Sequence, residues 1–292
     1  MREVTEAHYL HERHGLEAVL RPPVGYPTAL AWVPRKEELL VTTRDGKLHS
    51  VDPVLGTRVL AEDLGEAAAL DIHADRNRFL AVSRNGSWRI GLLSGGVEFV
   101  GKHDYLGHID AFFFGSYVIL IGDEPEGRYL LVVSDGVVRS RVRLPKNVIA
   151  LPDKRTLKLA RSTPAGLQVI PFGKDAAFKK TGRTAHVLQR AREYILGMTP
   201  TGIAVWTPEG GAPQSMRMPE LTAADLCRDA KMLGMGTRHG AVALARLDQV
   251  DKRVHPDLVK AFDSPVTTVQ FSDRGRWLAT GGERLQIWTW ED

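Results

Sequence analysis

Two stretches of this chain repeat one another forty residues apart, and that period limits the fold more than any other feature. Ala29-Leu30-Ala31-Trp32-Val33-Pro34 is matched by Leu70-Asp71-Ile72-His73-Ala74-Asp75. Each is followed by a polar turn, then an apolar strand (Leu39 to Thr42; Phe79 to Val82), then Arg44-Asp45-Gly46 or Arg84-Asn85-Gly86. Trp32 to Gly46 and Ile72 to Gly86 both span 14 residues, so the two units are offset by 40. Asp-Gly and Asn-Gly between alternating apolar runs are strong hairpin signals, because both residue types tolerate the positive φ that tight turns need. A third copy closes the chain: Val266 to Phe271, Ser272-Asp273-Arg274-Gly275, Trp277 to Gly282, then Leu285-Gln286-Ile287-Trp288. Strands with tight turns at a period near 40 make a repeated antiparallel sheet unit that buries its faces only by stacking on its neighbours.

The last copy resembles a repeat of the WD40 β-propeller family: apolar-x-x-apolar-x-Phe-Ser-Asp-x-Gly, then Leu278-Ala279-Thr280-Gly281-Gly282, then Leu285-x-Ile287-Trp288. Trp288 stands at the family's Trp position, with Thr289 where Asp is usual, and Val51-Asp52 is a weaker version in the first copy. The family's Gly-His dipeptide occurs as Gly107-His108. The resemblance covers roughly residues 28–92 and 264–290 and is loose between them, so the sequence reads as a divergent member. It implies that His108 is tied to a turn Asp within its own blade, with Asp123 as the candidate partner.

The middle parses at the same period. Ala111 to Ile121, Tyr129 to Val133 and Val137 to Leu144 form one unit, with Glu124-Pro125-Glu126-Gly127 as an enlarged turn. Val148 to Leu151, Thr156 to Ala160 and Leu167 to Ile170 form the next. His186 to Gln189, Tyr194 to Met198 and Ile203 to Trp206 follow, then Asp225 to Cys227, Met232 to Gly236 and Ala241 to Leu244. First strands then begin near residues 28, 68, 109, 147, 185, 222 and 266, which counts seven blades. Val187, Leu188, Ala191, Tyr194 and Ile195 also fit a helical face, as does Leu221 to Leu233; a regular blade count favours strands over helices in 185–196 and 221–233. The seventh copy supplies three strands, and an incomplete blade would leave an unpaired sheet edge. Leu16 to Leu20, ended by Pro22-Pro23, supplies the fourth and joins the two ends of the chain. The expectation is therefore an all-β, seven-bladed propeller of four-stranded antiparallel blades. It forms one domain over residues 1–292, with an N-terminal extension at 1–15 and a closing strand at 16–20.

Because a propeller hosts many unrelated activities, function must come from sites. No Gly-x-Ser-x-Gly elbow, phosphate-binding loop or His-Glu-x-x-His pair occurs. Gly234-Met235-Gly236 with Gly240 has the wrong spacing for a dinucleotide loop and reads as strand and turn. His8, His11 and His14, and His103, Asp104 and His108, cluster in sequence, but neither set offers the three or four converging ligands zinc requires. Cys227 lies between Leu226 and Arg228 on a first strand and reads as an inert core thiol. The six Trp read as packing between blades, Trp290 being the most exposed. No enzyme, cofactor, metal or small-molecule substrate is expected. The longest nearly apolar run, Ala111 to Gly122, has 12 residues, too short to span a bilayer, and no secretory signal opens the chain. With one Cys and no disulfide, the expected setting is the cytoplasm.

Charge is the feature that does point somewhere. Residues 139–192 hold 14 Lys and Arg against Asp153 and Asp175, a net +12, while the remainder holds 25 basic and 33 acidic residues, a net −8. Blades follow one another round a ring, so these residues share one sector, blades three to five. Arg139, Arg141 and Arg143 alternate with Val138, Ser140 and Val142, so the strand period puts the three Arg on one face. Lys174, Lys179, Lys180 and Arg183 follow on a loop, then Arg190 and Arg192. A basic sector of this kind docks an acidic protein surface or a phosphate backbone. The first reading is a WD-repeat-like scaffold for protein partners in a multi-protein complex. The resemblance, with the Arg, Ala and Gly richness, suggests a prokaryotic propeller of a sort that can accompany an AAA+ ATPase system. The alternative is nucleic-acid association through the same sector. Phe172 and Phe178 are the only aromatics among those charges, few for base stacking.

Overall fold

Short runs of Val, Leu, Ile and Ala separated by tight polar turns can pair only with their sequence neighbours, and the chain folds as a succession of antiparallel meanders. The computed structural model describes residues 16–103, 107–145, 148–153, 156–163, 166–173, 187–191, 194–199, 201–207, 212–218, 220–227, 231–247 and 256–290. Strand β1 spans Glu17–Leu20. The first blade is β2 (Pro27–Trp32), β3 (Leu39–Thr43), β4 (Leu48–Asp52) and β5 (Gly56–Ala61). The second is β6 (Ala67–His73), β7 (Arg78–Ser83), β8 (Ser87–Leu92) and β9 (Val97–Lys102). The third is β10 (Gly107–Phe114), β11 (Tyr117–Glu124), β12 (Gly127–Ser134) and β13 (Val137–Leu144). The fourth shows three described strands, β14 (Val148–Asp153), β15 (Thr156–Thr163) and β16 (Gly166–Pro171). The fifth is β17 (Val187–Ala191), β18 (Tyr194–Thr199), β19 (Gly202–Trp206) and β20 (Gln214–Arg217). The sixth is β21 (Leu221–Cys227), β22 (Met232–Thr237), β23 (Ala241–Arg246) and β24 (Asp257–Lys260). The seventh is β25 (Thr268–Phe271), β26 (Leu278–Gly281), β27 (Leu285–Thr289) and β1, in the spatial order β1-β27-β26-β25.

The seven first strands begin within two residues of the expected positions. The two stretches that also fit a helical face are strands where they are described, at 187–191 and 194–196 in one and at 221–227 and 232–233 in the other. One expected run divides: Ala111 to Ile121 is not a single strand but the end of β10 and the start of β11, turning at Gly115 with φ +60°. Only Gly115 and Ser116 separate the two apolar runs, so short an interruption that hydropathy alone hides the break.

Apolar packing is organised by junctions between blades. Seven buried clusters occur among the described residues, and each joins two successive blades. Leu40 and Leu48 of the first blade meet Phe79 and Ala81 of the second; Leu285 and Ile287 of the seventh meet Leu30 and Val41 of the first. A blade is therefore apolar on both faces, and each face is buried by a neighbour; an isolated blade would expose both. Five Trp are buried in these junctions, Cys227 is fully buried, and Trp290 is half-buried with its ring edge-on to Phe271 at 5.4 Å.

Closure follows the same logic. β1 pairs antiparallel with β27, Glu17 opposite Thr289 and Ala18 opposite Trp288. Leu16 enters the core between blades six and seven, and Leu20 packs against the core between blades seven and one. Five residues from one end of the chain thus pin both junctions of the blade made by the other end.

Three turns share one backbone arrangement. Gly46, Gly86 and Gly240 have φ of +81°, +80° and +78°, a region that costs other L-residues about 1 kcal/mol or more. Their carbonyls accept hydrogen bonds from Leu64, His103 and Ala261 at 2.8, 3.1 and 2.9 Å, clipping each outgoing connection onto the turn of its own blade. Arg-Asp-Gly, Arg-Asn-Gly and Arg-His-Gly are one structural device.

Candidate interaction surface

The sequence singled out nine basic residues. Arg139, Arg141 and Arg143 lie on β13, the outermost strand of the third blade, and all three are exposed. Arg190 lies on β17, opposite Ile195 of β18. Lys174, Lys179, Lys180, Arg183 and Arg192 lie outside the described residues.

The alternation expected along β13 is interrupted. Arg141 and Arg143 stand opposite Leu131 and Tyr129 of β12. The register shifts between Val132, which faces Ser140, and Val133, which faces Val138, so Arg139 is an extra residue at a bulge. Strict period two therefore relates Arg141 and Arg143 and stops before Arg139.

The structure also brings acids onto these cations. Arg141 Nη2 donates to Glu124 Oε2 at 2.5 Å, lies 3.7 Å from Glu126 Oε2, and stacks its guanidinium 3.9 Å from the centre of the Tyr129 ring. Arg143 Nη2 donates to the Glu126 carbonyl at 2.6 Å, and Arg139 lies 3.9 Å from Asp135. A charge window that opens at residue 139 omits these acids, because Glu124 and Glu126 stand on the preceding hairpin and Asp135 in the turn that leads into β13. Strand pairing folds that hairpin back onto β13.

Glu124 is the centre of the cluster. Its side chain is 7% exposed and lies between Arg141 and the His103 ring, whose Nε2 is 2.9 Å from Oε1. Burial works to raise its pKa, but the hydrogen bonds and charges of Arg141 and His103 outweigh that and hold the carboxyl below the usual range. In return Glu124 holds the Arg141 guanidinium more firmly protonated. The His103 amide donates to Gly86 in blade two while its ring meets Glu124 in blade three, so the cluster also staples two blades. The neighbouring Asp123 is held by Arg128 Nε at 2.9 Å, the engagement the resemblance would have assigned to His108. The His108 side chain lies outside what the structure describes. No sequence signal marked Glu124, since a Glu in a turn ordinarily reads as solvated.

Round the ring axis, the first strands enclose a channel of about 380 Å³ lined mainly by Ala and Thr, with Asp110 its one carboxylate among the described lining residues. Register shifts recur at the start of β2, β6, β10 and β21, at Pro27/Ala29, Ala67/Ala69, His108/Asp110 and Leu221/Ala223. Among the described residues no group of three or more His, Cys, Asp or Glu is placed to hold a metal ion, and no helix is long and apolar enough to cross a membrane.

No protein-family profile matches the chain, and no curated protein matches it. Among solved structures, the WD40 β-propeller domain of Doa1 is similar, with a TM-score of 0.72 at 10% sequence identity. The match covers 94% of this chain and 97% of that one. At that identity the likeness is one of fold.

Proposed function

We propose that the chain is a single, non-catalytic propeller domain that holds protein partners in a multi-protein complex, with an acidic partner docking on the basic sector of blades three to five. The observation that carries the reading is the seven-bladed ring of WD40 form, in which every blade face is consumed by a neighbour and only turns, connections and outer strands remain for contact. WD40 propellers typically serve as protein-interaction scaffolds. The basic sector supports the choice of surface: Arg139 and Arg143 keep exposed guanidinium groups there although acids lie nearby, and most of the surrounding sequence charge is positive.

Affinity capture from the native host tests this, comparing the natural chain with a variant carrying Glu at Arg139, Arg143, Lys179, Lys180 and Arg183. Recovery of a defined protein complex by the natural chain alone supports a scaffold docking through this sector. Recovery that nuclease treatment abolishes would instead show that the sector binds nucleic acid. Equal recovery of the same proteins by both chains would move the docking surface elsewhere.

A further inference from the structure

The basic sector contains an open sheet edge. Among the described residues β13 is the terminal strand of its sheet, hydrogen-bonded to β12 on one side only. It spans eight residues, where the described outer strands of the other blades span four or six. Its sequence, Val-Val-Arg-Ser-Arg-Val-Arg-Leu, holds no Gly, Pro or acid, and its residues from Val137 to Arg141 are all exposed. Every second residue of an edge strand turns its N–H and C=O outward, so β13 offers about three or four unpaired residues to an incoming chain, its register broken once at the Arg139 bulge.

Charge selects among the chains that could fill that edge. A second copy adding its own β13 would set Arg against Arg, and like charges across a strand pair are destabilising. An extended segment rich in Glu or Asp meets opposite charge instead.

We propose that β13 receives an extended acidic segment of a partner protein as a fifth strand of blade three. This rests on the docking function proposed above and specifies its form: main-chain hydrogen bonds supply part of the affinity, and Arg139 and Arg143 select for acid. Arg141, already committed to Glu124, contributes its backbone.

The test uses the full chain and an eight-residue peptide of alternating Glu and Thr, capped at both ends, with a second peptide N-methylated on alternate backbone amides. Binding is followed by titration, and the β13 amides by hydrogen exchange. The expected result is that the plain peptide binds, slows exchange along β13, and loses at least about tenfold in affinity when N-methylated, as the loss of two or three net hydrogen bonds implies. Arg139→Glu with Arg143→Glu is expected to weaken the plain peptide by a similar factor. If both peptides bind equally, and the Arg variants weaken both, acidic docking stands and the added strand is wrong. Absence of binding by the plain peptide, or binding without protection of β13, also overturns the added strand. A thymidine oligonucleotide that displaces the peptide and itself needs Arg139 and Arg143, without protecting the β13 amides, would mark β13 as a phosphate-binding face and overturn it too.

Discussion

The carboxylate of Asp225, on the innermost strand of blade six, accepts a 2.8 Å hydrogen bond from the backbone amide of Phe271, on the innermost strand of blade seven. Asp71 in blade two makes the same bond to Phe113 in blade three at 2.7 Å. In both pairs a side chain on one first strand satisfies a main-chain donor on the next; the Asp225 bond is buried and the Asp71 bond partly so. Removing such an acceptor leaves a buried N–H unpaired, at a cost of about 1–3 kcal/mol. Asp225→Ala is therefore expected to lower stability by that amount in chemical denaturation. Asp225→Asn, which keeps an acceptor oxygen, should cost less.

Closure gives the next expectation. Deleting residues 1–21 removes β1 together with Leu16 and Leu20, and so loosens the junctions on both sides of blade seven. The truncated chain should melt several degrees lower, an effect of roughly 1–2 kcal/mol for a chain of this size, and should associate through the exposed edge of β27. A truncated chain that stays monomeric and melts within a degree of the full chain would show that β1 does not hold the ring.

Glycine substitutions separate two costs. At Gly240 an added Cβ would sit 2.1 Å from the Phe262 carbonyl oxygen, at φ +78°. At Gly56, with φ +98°, it would meet nothing within 4 Å. Both Ala variants incur the conformational penalty, about 1–2 kcal/mol, and only Gly240→Ala must also displace backbone. Thermal melts should rank Gly240→Ala well below Gly56→Ala; equal melting would mean that the clip between this turn and Ala261 carries no stability.

Acid should open the Glu124 cluster. The folded pKa of Glu124 lies below its unfolded value, so its contribution is present above the ordinary Glu range and is lost as pH falls through the folded pKa. The natural chain should lose stability there more steeply than Glu124→Gln, which has no proton to take up. Arg141→Glu, which places a carboxylate against Glu124, should destabilise at neutral pH more than Arg139→Glu does. Parallel stability–pH curves for the natural chain and Glu124→Gln would contradict this.

The fold was legible because the propeller repeats its signals. Turn glycines, strand spacing and the need to cover a last edge each pointed to seven blades and to Leu16–Leu20 as the closing strand. The outer strands β5, β9, β20 and β24 were not legible: they are short and largely exposed, and so lack apolar periodicity. The basic surface was read from sequence proximity, which placed Arg141 correctly on β13 but not its partners. Glu124 lies 17 positions away from Arg141, brought back by two hairpin pairings, and nothing in a linear charge count anticipates that. The bulge at Arg139 is likewise a property of pairing.

Docking through the basic sector is tested most directly by measuring the affinity of the captured native partner for two charge variants of equal size. One carries Glu at Arg139, Arg143, Lys179, Lys180 and Arg183; Arg141 is left in place because it neutralises Glu124. The other carries five acid-to-Lys changes in exposed turns outside residues 139–192. Exposed charges contribute little to stability, about 0–1 kcal/mol per pair, so both variants should fold. Steering by a charged surface raises association on the order of tenfold or more and is screened by salt. The natural chain should therefore bind less tightly as salt rises, and the first variant should lose both the affinity and its salt dependence while the second keeps them. Equal binding of the partner by both variants would contradict docking through this sector.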